Sequence, residues 1–199
     1  MSEVKADPAN SEAVQEAVSG VLVHTLRKPL EYEGKTHEAI HMDLRALTGK
    51  DLAELQAQWT HAGNFSMQPE TDSDFCLLVA ARAAKVVEDV LYALPAPECT
   101  AIETMVKVFL QGANIAKQMG EAPQHGLTLK LEELTGRDTS QIKREWVANG
   151  GRASFPATDL NYCALVAARA AGVKLEAIHA LPAPVYVSLM REVSDFLQS

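Results

Sequence analysis

The chain has 199 residues, 47% hydrophobic and 22% charged, with a formal net charge of -8, which is the composition of a soluble globular protein. The acidic balance weighs against sequence-independent nucleic-acid binding, which needs clustered Lys and Arg to neutralise phosphates, and it suits a protein or basic partner. No stretch approaches the ~20 apolar residues of a membrane span, and three cysteines without CxxC spacing argue against a disulfide framework or a zinc site.

Residues 1–20 are small and polar, with Asp7-Pro8 as a breaker and 12–18 able to form a short helix. They read as a loose arm, and the absence of a basic then apolar leader predicts a cytoplasmic protein. From Val21 the pattern becomes β-prone over 21–26, is punctuated by Pro29, and resumes at 30–32 before the turn signal Glu33-Gly34-Lys35 and a second extended run over 36–44. That is a β-hairpin.

Thr48-Gly49-Lys50-Asp51 then opens a helix, with Thr48 as cap and Asp51 placing negative charge in the first turn. Leu52, Leu55 and Trp59 give its apolar stripe, and Gly63 gives a stop. After a break at 69–72, with Thr71 or Asp72 as N-cap, Phe75, Leu78, Val79, Arg82 and Val86 mark the central helix. A short helical turn follows. Leu94-Pro95-Ala96-Pro97 interrupts it, because proline lacks the amide donor, and Pro97 suits the start of the next helix. That helix carries Cys99, Ile102, Met105, Val106, Phe109 and Leu110 on one side. Residues 112–126, with Gly112, Gly120, Pro123 and Gly126, predict a joint.

The same grammar then returns. Residues 42–111 align without a gap to 129–198, displaced by about 87 positions, and roughly 28 of about 70 are identical, the mark of an internal duplication. Thr135, Asp138, Ile142, Trp146, Gly150, Asp159, Arg169 and Leu181-Pro182-Ala183-Pro184 repeat their earlier counterparts. The fold class expected is mainly α (α+β), two tandem helical repeats with a small N-terminal β-hairpin. Residues 1–20 form the arm, 21–111 repeat 1, 112–126 the linker and 127–199 repeat 2, which keeps at most one strand at 127–131.

No active site assembles from the motifs. There is no glycine-rich phosphate loop, GxSxG or HExxH, and the segment Ser154-Phe155-Pro156 reads as loop. His37 and His41, near Asp43, have a spacing that could bind metal, but their counterparts are Gln124 and Thr128, and solvated strand residues are the preferred reading. Hence no catalytic residue, cofactor or metal is expected. Cys76 and Cys163 sit at equivalent places in apolar runs and read as small core residues; Trp59 and Trp146 read as core more than as interface anchors. Arg82 and Arg169 each interrupt an apolar helix at the same place. They are the candidate protein-interaction residues, set against a structural reading in which they pair with Asp51 and Asp138 or with helix-end carbonyls.

Lys28-Pro29-Leu30-Glu31-Tyr32-Glu33-Gly34-Lys35-Thr36, then Leu47-Thr48-Gly49-Lys50-Asp51, the alanine-rich helix, Ala93-Leu94-Pro95-Ala96 and Phe109-Leu110 resemble the tail assembly chaperones of contractile-tailed and Mu-like phages and prophages. The resemblance covers nearly all of 22–110 and, without the hairpin, 129–198. Members of that family are usually single-copy, so the tandem arrangement departs from it. The resemblance implies a non-catalytic protein of the host cytoplasm that binds the aggregation-prone tape-measure protein, helps recruit tail-tube subunits and is absent from the mature virion. It implies no nucleic-acid or membrane partner, and a homo-oligomer is compatible with it. The alternative is a structural or regulatory interaction protein, either a virion component or a dimeric adaptor.

Overall fold

The computed structural model describes residues 21–118 and 125–199. The arm over 1–20 and residues 119–124 of the joint lie outside the described residues.

Strands β1 (Val21–Tyr32) and β2 (Lys35–Asp43) form an antiparallel hairpin. Its turn places Glu33 and Gly34 at φ 47° and 76°, the left-handed pair that matches strand twist in a two-residue loop. β1 does not stop at Pro29. A register shift between Thr25 and Leu30 absorbs the proline, which has no amide hydrogen to give to the ladder. Leu22, Ile40 and Met42 face inward and are fully buried.

Helix α1 (Gly49–His61) begins with a reciprocal capping box, Thr48 accepting from the Asp51 amide and Asp51 accepting from the Thr48 amide. Helix α2 (Ser73–Ala84) is capped by Asp72, whose Oδ1 accepts from the amides of Asp74 and Phe75 at 3.0 and 3.2 Å. It is buried along nearly its whole length. A short α3 (Glu88–Tyr92) and a long α4 (Ala96–Gln118) complete repeat 1. Repeat 2 follows with α5 (Gly136–Ala148), α6 (Leu160–Ala171), α7 (Leu175–His179) and α8 (Ala183–Gln198). Pro97 and Pro184 both lie in first turns, where a missing amide hydrogen costs nothing.

The expected break at Gly112 does not occur: α4 continues to Gln118. Ile102, Val106, Leu110 and Ala113 form a buried stripe through that point, and such burial outweighs the roughly 1 kcal/mol that glycine costs inside a helix. Among the described residues repeat 2 has no hairpin. Residues 127–130 form no strand and lie against α6, the Lys130 amide donating to the Ala170 carbonyl at 3.1 Å. Leu127 and Leu129 take the places of Ile40 and Met42 but stay half-buried, since no second strand covers them.

The repeats share one continuous apolar core, and α4 packs along α8. Their joint is asymmetric. The Gly49 amide donates to Leu181 O at 2.9 Å and the Ala183 amide to Leu47 O at 3.1 Å. Tyr186 lies over Gly49 so closely that a Cβ there would come within 2.2 Å of the ring. Buried Gln56 donates to Thr158 O at 2.8 Å and accepts from the Leu160 amide at 2.6 Å, and Asn161 Nδ2 donates to Ala53 O at 3.4 Å. No helix of the described residues is long and apolar enough to cross a membrane.

Candidate functional site

The two arginines singled out by the duplication are braces between helices. Arg82 Nη1 lies 3.0 Å from Asp51 Oδ1 and 3.6 Å from Glu54; Arg169 Nη1 lies 2.8 Å from Asp138 Oδ1. Each aspartate therefore serves twice, one oxygen on the helix cap and the other on the arginine. Burial alone would raise the Asp51 carboxyl, but hydrogen bonds from Thr48 and the Arg82 guanidinium hold it below the usual range. At Asp138 the Thr135 hydroxyl and amide bonds, then Arg169, have the same effect. This is the paired arrangement weighed against partner binding, and it fastens α1 to α2 and α5 to α6.

Cys76 and Cys163 are core residues, 0% and 2% exposed, donating to the carbonyls of Glu70 and Ala157. Burial pushes the Cys76 thiol up to about 12 and the Cys163 thiol higher still, so neither supplies the thiolate that nucleophilic chemistry needs. Trp59 and Trp146 are buried, each edge-on to the first aromatic ring of the following helix, Phe75 and Tyr162. His41 is exposed on β2 and His37 half-buried. Among the described residues no group of three or more His, Cys, Asp or Glu is placed to hold a metal ion.

The feature that stands out from the surface is apolar. Phe65, Met67 and Phe155 are 53%, 51% and 59% exposed, and the Phe65 and Phe155 rings meet across the seam between the repeats, centroids 5.9 Å apart. Gly63 and Gly150, at φ 94° and 90°, turn the chain out of α1 and α5 into the loops that carry them. The groove beside them is lined by Met67, Glu70, Leu160, Val187, Met190 and Arg191. Arg191 and Glu70 form an ion pair on its wall, one from each repeat.

The two phenylalanines are not duplicates of each other. The counterpart of Phe65 is Arg152, and that of Phe155 is Gln68. An aromatic kept for a fold requirement of the repeat would recur at the same place, as Trp59 and Trp146 do. In the sequence Phe155 reads as loop. The signal that could have found this surface was a pair of large apolar residues in polar loops, each without its counterpart in a chain that otherwise repeats.

Comparison with protein-family models, with curated proteins and with solved structures returned no match.

Proposed function

We propose that this chain is a non-catalytic phage tail assembly chaperone, holding apolar helical segments of the tape-measure protein at the seam between its repeats. The client is thereby kept soluble in the host cytoplasm while tail-tube subunits are recruited, and the chaperone is absent from the finished virion. The observation that supports the reading is the Phe65–Met67–Phe155 surface: three large apolar side chains, each more than half exposed, beside a groove formed by both repeats.

Such a surface suits an amphipathic helix laying its apolar face down with anchors about one turn apart. Methionine adapts to irregular partners, and rings bring large contact area. Full covering of each side chain is worth roughly 1.5–3 kcal/mol, before the costs of association. The contact is therefore modest, as release of the client to the tube requires.

The test is co-expression with the largest helical tail protein of the source genome, followed by affinity capture. The expected result is a client soluble only with this chain and captured by it. Phe65→Ser/Phe155→Ser should cut capture at least tenfold while the chain still melts in one transition, lowered only by the loss of a half-exposed aromatic pair. A client equally soluble alone and not captured would overturn the reading.

A further inference from the structure

Beside the packing of α4 along α8, the contact between the repeats has a heterologous part, in which α1 supplies one surface and α6–α8 of repeat 2 a different one. Since the chain is duplicated, each repeat carries a version of both surfaces, and one of each is left over. On α5 the counterparts of Gly49, Ala53 and Gln56 are Gly136, Ser140 and Lys143, all exposed. On repeat 1 the counterparts of Leu160, Asn161 and Ala183 are Ser73, Asp74 and Ala96, also exposed.

These two surplus surfaces carry opposite charge. The exposed cations Arg137, Lys143 and Arg144 lie on α5, where α1 has Lys50, Gln56 and Ala57. Repeat 1 presents Asp72, Asp74, Glu88 and Asp89 around Tyr92, which is 48% exposed; burial and then these four carboxylates raise its phenol. None of those cations or carboxylates is in an ion pair among the described residues.

We propose that copies of this chain join head to tail, the outer face of α5 in one copy docking on the α2–α4 face of repeat 1 in the next. The contact repeats the one within the chain. Gly136 and Ala96 amides would donate to Leu94 and Leu134 carbonyls, as Gly49 and Ala183 do to Leu181 and Leu47. The substitutions match in pairs. Where Asn161 donates to the Ala53 carbonyl, the Ser140 hydroxyl donates to the Asp74 carboxylate; where Gln56 donates to Thr158 O, the Lys143 ammonium donates to Thr71 O beside Asp74, and the bond that Gln56 accepts from the Leu160 amide has no equivalent, since an ammonium cannot accept. A heterologous contact need not close on itself. Because it has exchanged Leu52 and Ala53 for Thr139 and Ser140, it is weaker than the internal joint and screened by salt. This inference stands apart from the client reading.

The test is sedimentation of the full chain across concentration at low and at roughly 0.5 M salt. The wild type should form species beyond a dimer at low salt and disperse at high salt. Lys143→Glu and Asp74→Lys should each remain monomeric, with circular dichroism unchanged. Their equimolar mixture should associate again beyond a dimer, since the unaltered α5 and repeat 1 faces pair with each other and the two reversed faces are again opposite in charge. A wild type that stays monomeric at low salt would overturn the proposal and leave the acidic face to a different, basic protein. Association that both variants retain, or that their mixture fails to restore, would overturn it equally.

Discussion

Trp59 and Trp146 began as the same residue and now have different surroundings. Trp146 Nε1–H donates to Asp159 Oδ1 at 3.0 Å, while the Trp59 indole N–H is buried without an acceptor among the described residues. Asp72, the counterpart of Asp159, spends its Oδ1 on the amides of α2 alone. Burial raises the Asp159 carboxyl although the Tyr162 amide and the Trp146 indole oppose the shift, so this side chain depends on its donors. Trp146→Phe should therefore cost about 1–3 kcal/mol, and Trp59→Phe distinctly less, because it removes an unsatisfied group while keeping most of the ring. Urea titration of both variants checks the order; equal losses would contradict it. Gln56 is a sharper case. Its amide bridges Thr158 O and the Leu160 amide, and Gln56→Ala leaves both buried at the joint, at a cost of about 2–4 kcal/mol.

At the scale of elements, α1 and α5 share a capping box and a tryptophan but bury different amounts. α1 hides Gly49, Leu52, Ala53 and Gln56 besides Leu55 and Trp59; α5 hides only Ile142 and Trp146. One helix is packed on two sides and the other on one. The first side of each was legible in the sequence, because a cap at Thr48 or Thr135 and a stripe at helical spacing are local signals. The second side of α1 was not, since it depends on where repeat 2 lies. Gly112 misled for a related reason: its local propensity argued for an end that the buried stripe of α4 overrides.

The joint also carries a titratable group. His179 in α7 has its Nε2 buried without a hydrogen-bond partner among the described residues and its ring 6.2 Å from Tyr186. Burial, and then Lys50 of α1, lower its pKa below 6.5, against the weaker pull of Glu176 and Glu54. With the folded value below the unfolded one, the unfolded chain binds more protons in that window. Stability is then complete above about pH 6.5 and falls as the pH drops toward the depressed value. His179→Gln should flatten that part of the profile. The lowered carboxyls of Asp51, Glu98 and Glu103 act only at more acid pH, as the unfolded carboxylates begin to protonate. Denaturation midpoints of both proteins from pH 7.5 to 5 make the measurement, and parallel profiles would count against it.

The whole molecule is two copies of one plan that share a core. The buried residues of both repeats form one continuous cluster, and α1 and α8 each touch the opposite repeat. Unfolding should accordingly be a single transition with equal calorimetric and van't Hoff enthalpies; two resolved transitions would mean that the halves stand alone. Most of this plan could be read from the chain. The duplication, the hairpin, the caps and the proline-marked helix starts are written in short-range patterns. The seam surface was not legible, because Phe65 and Phe155 are 90 residues apart in the chain and meet only when the repeats dock.

The glycines that open α1 and α5 are one ancestral letter kept under two regimes. At position 49 any side chain would strike Tyr186, whereas a Cβ at Gly136 meets nothing within 4 Å. Folding alone thus leaves position 136 open to drift, and alanine there would even favour the helix. A demand for glycine at position 136, if one exists, would have to come from outside the single chain. A saturation library at that codon, scored once for soluble expression and once for biological activity, would separate the two pressures without purifying a protein.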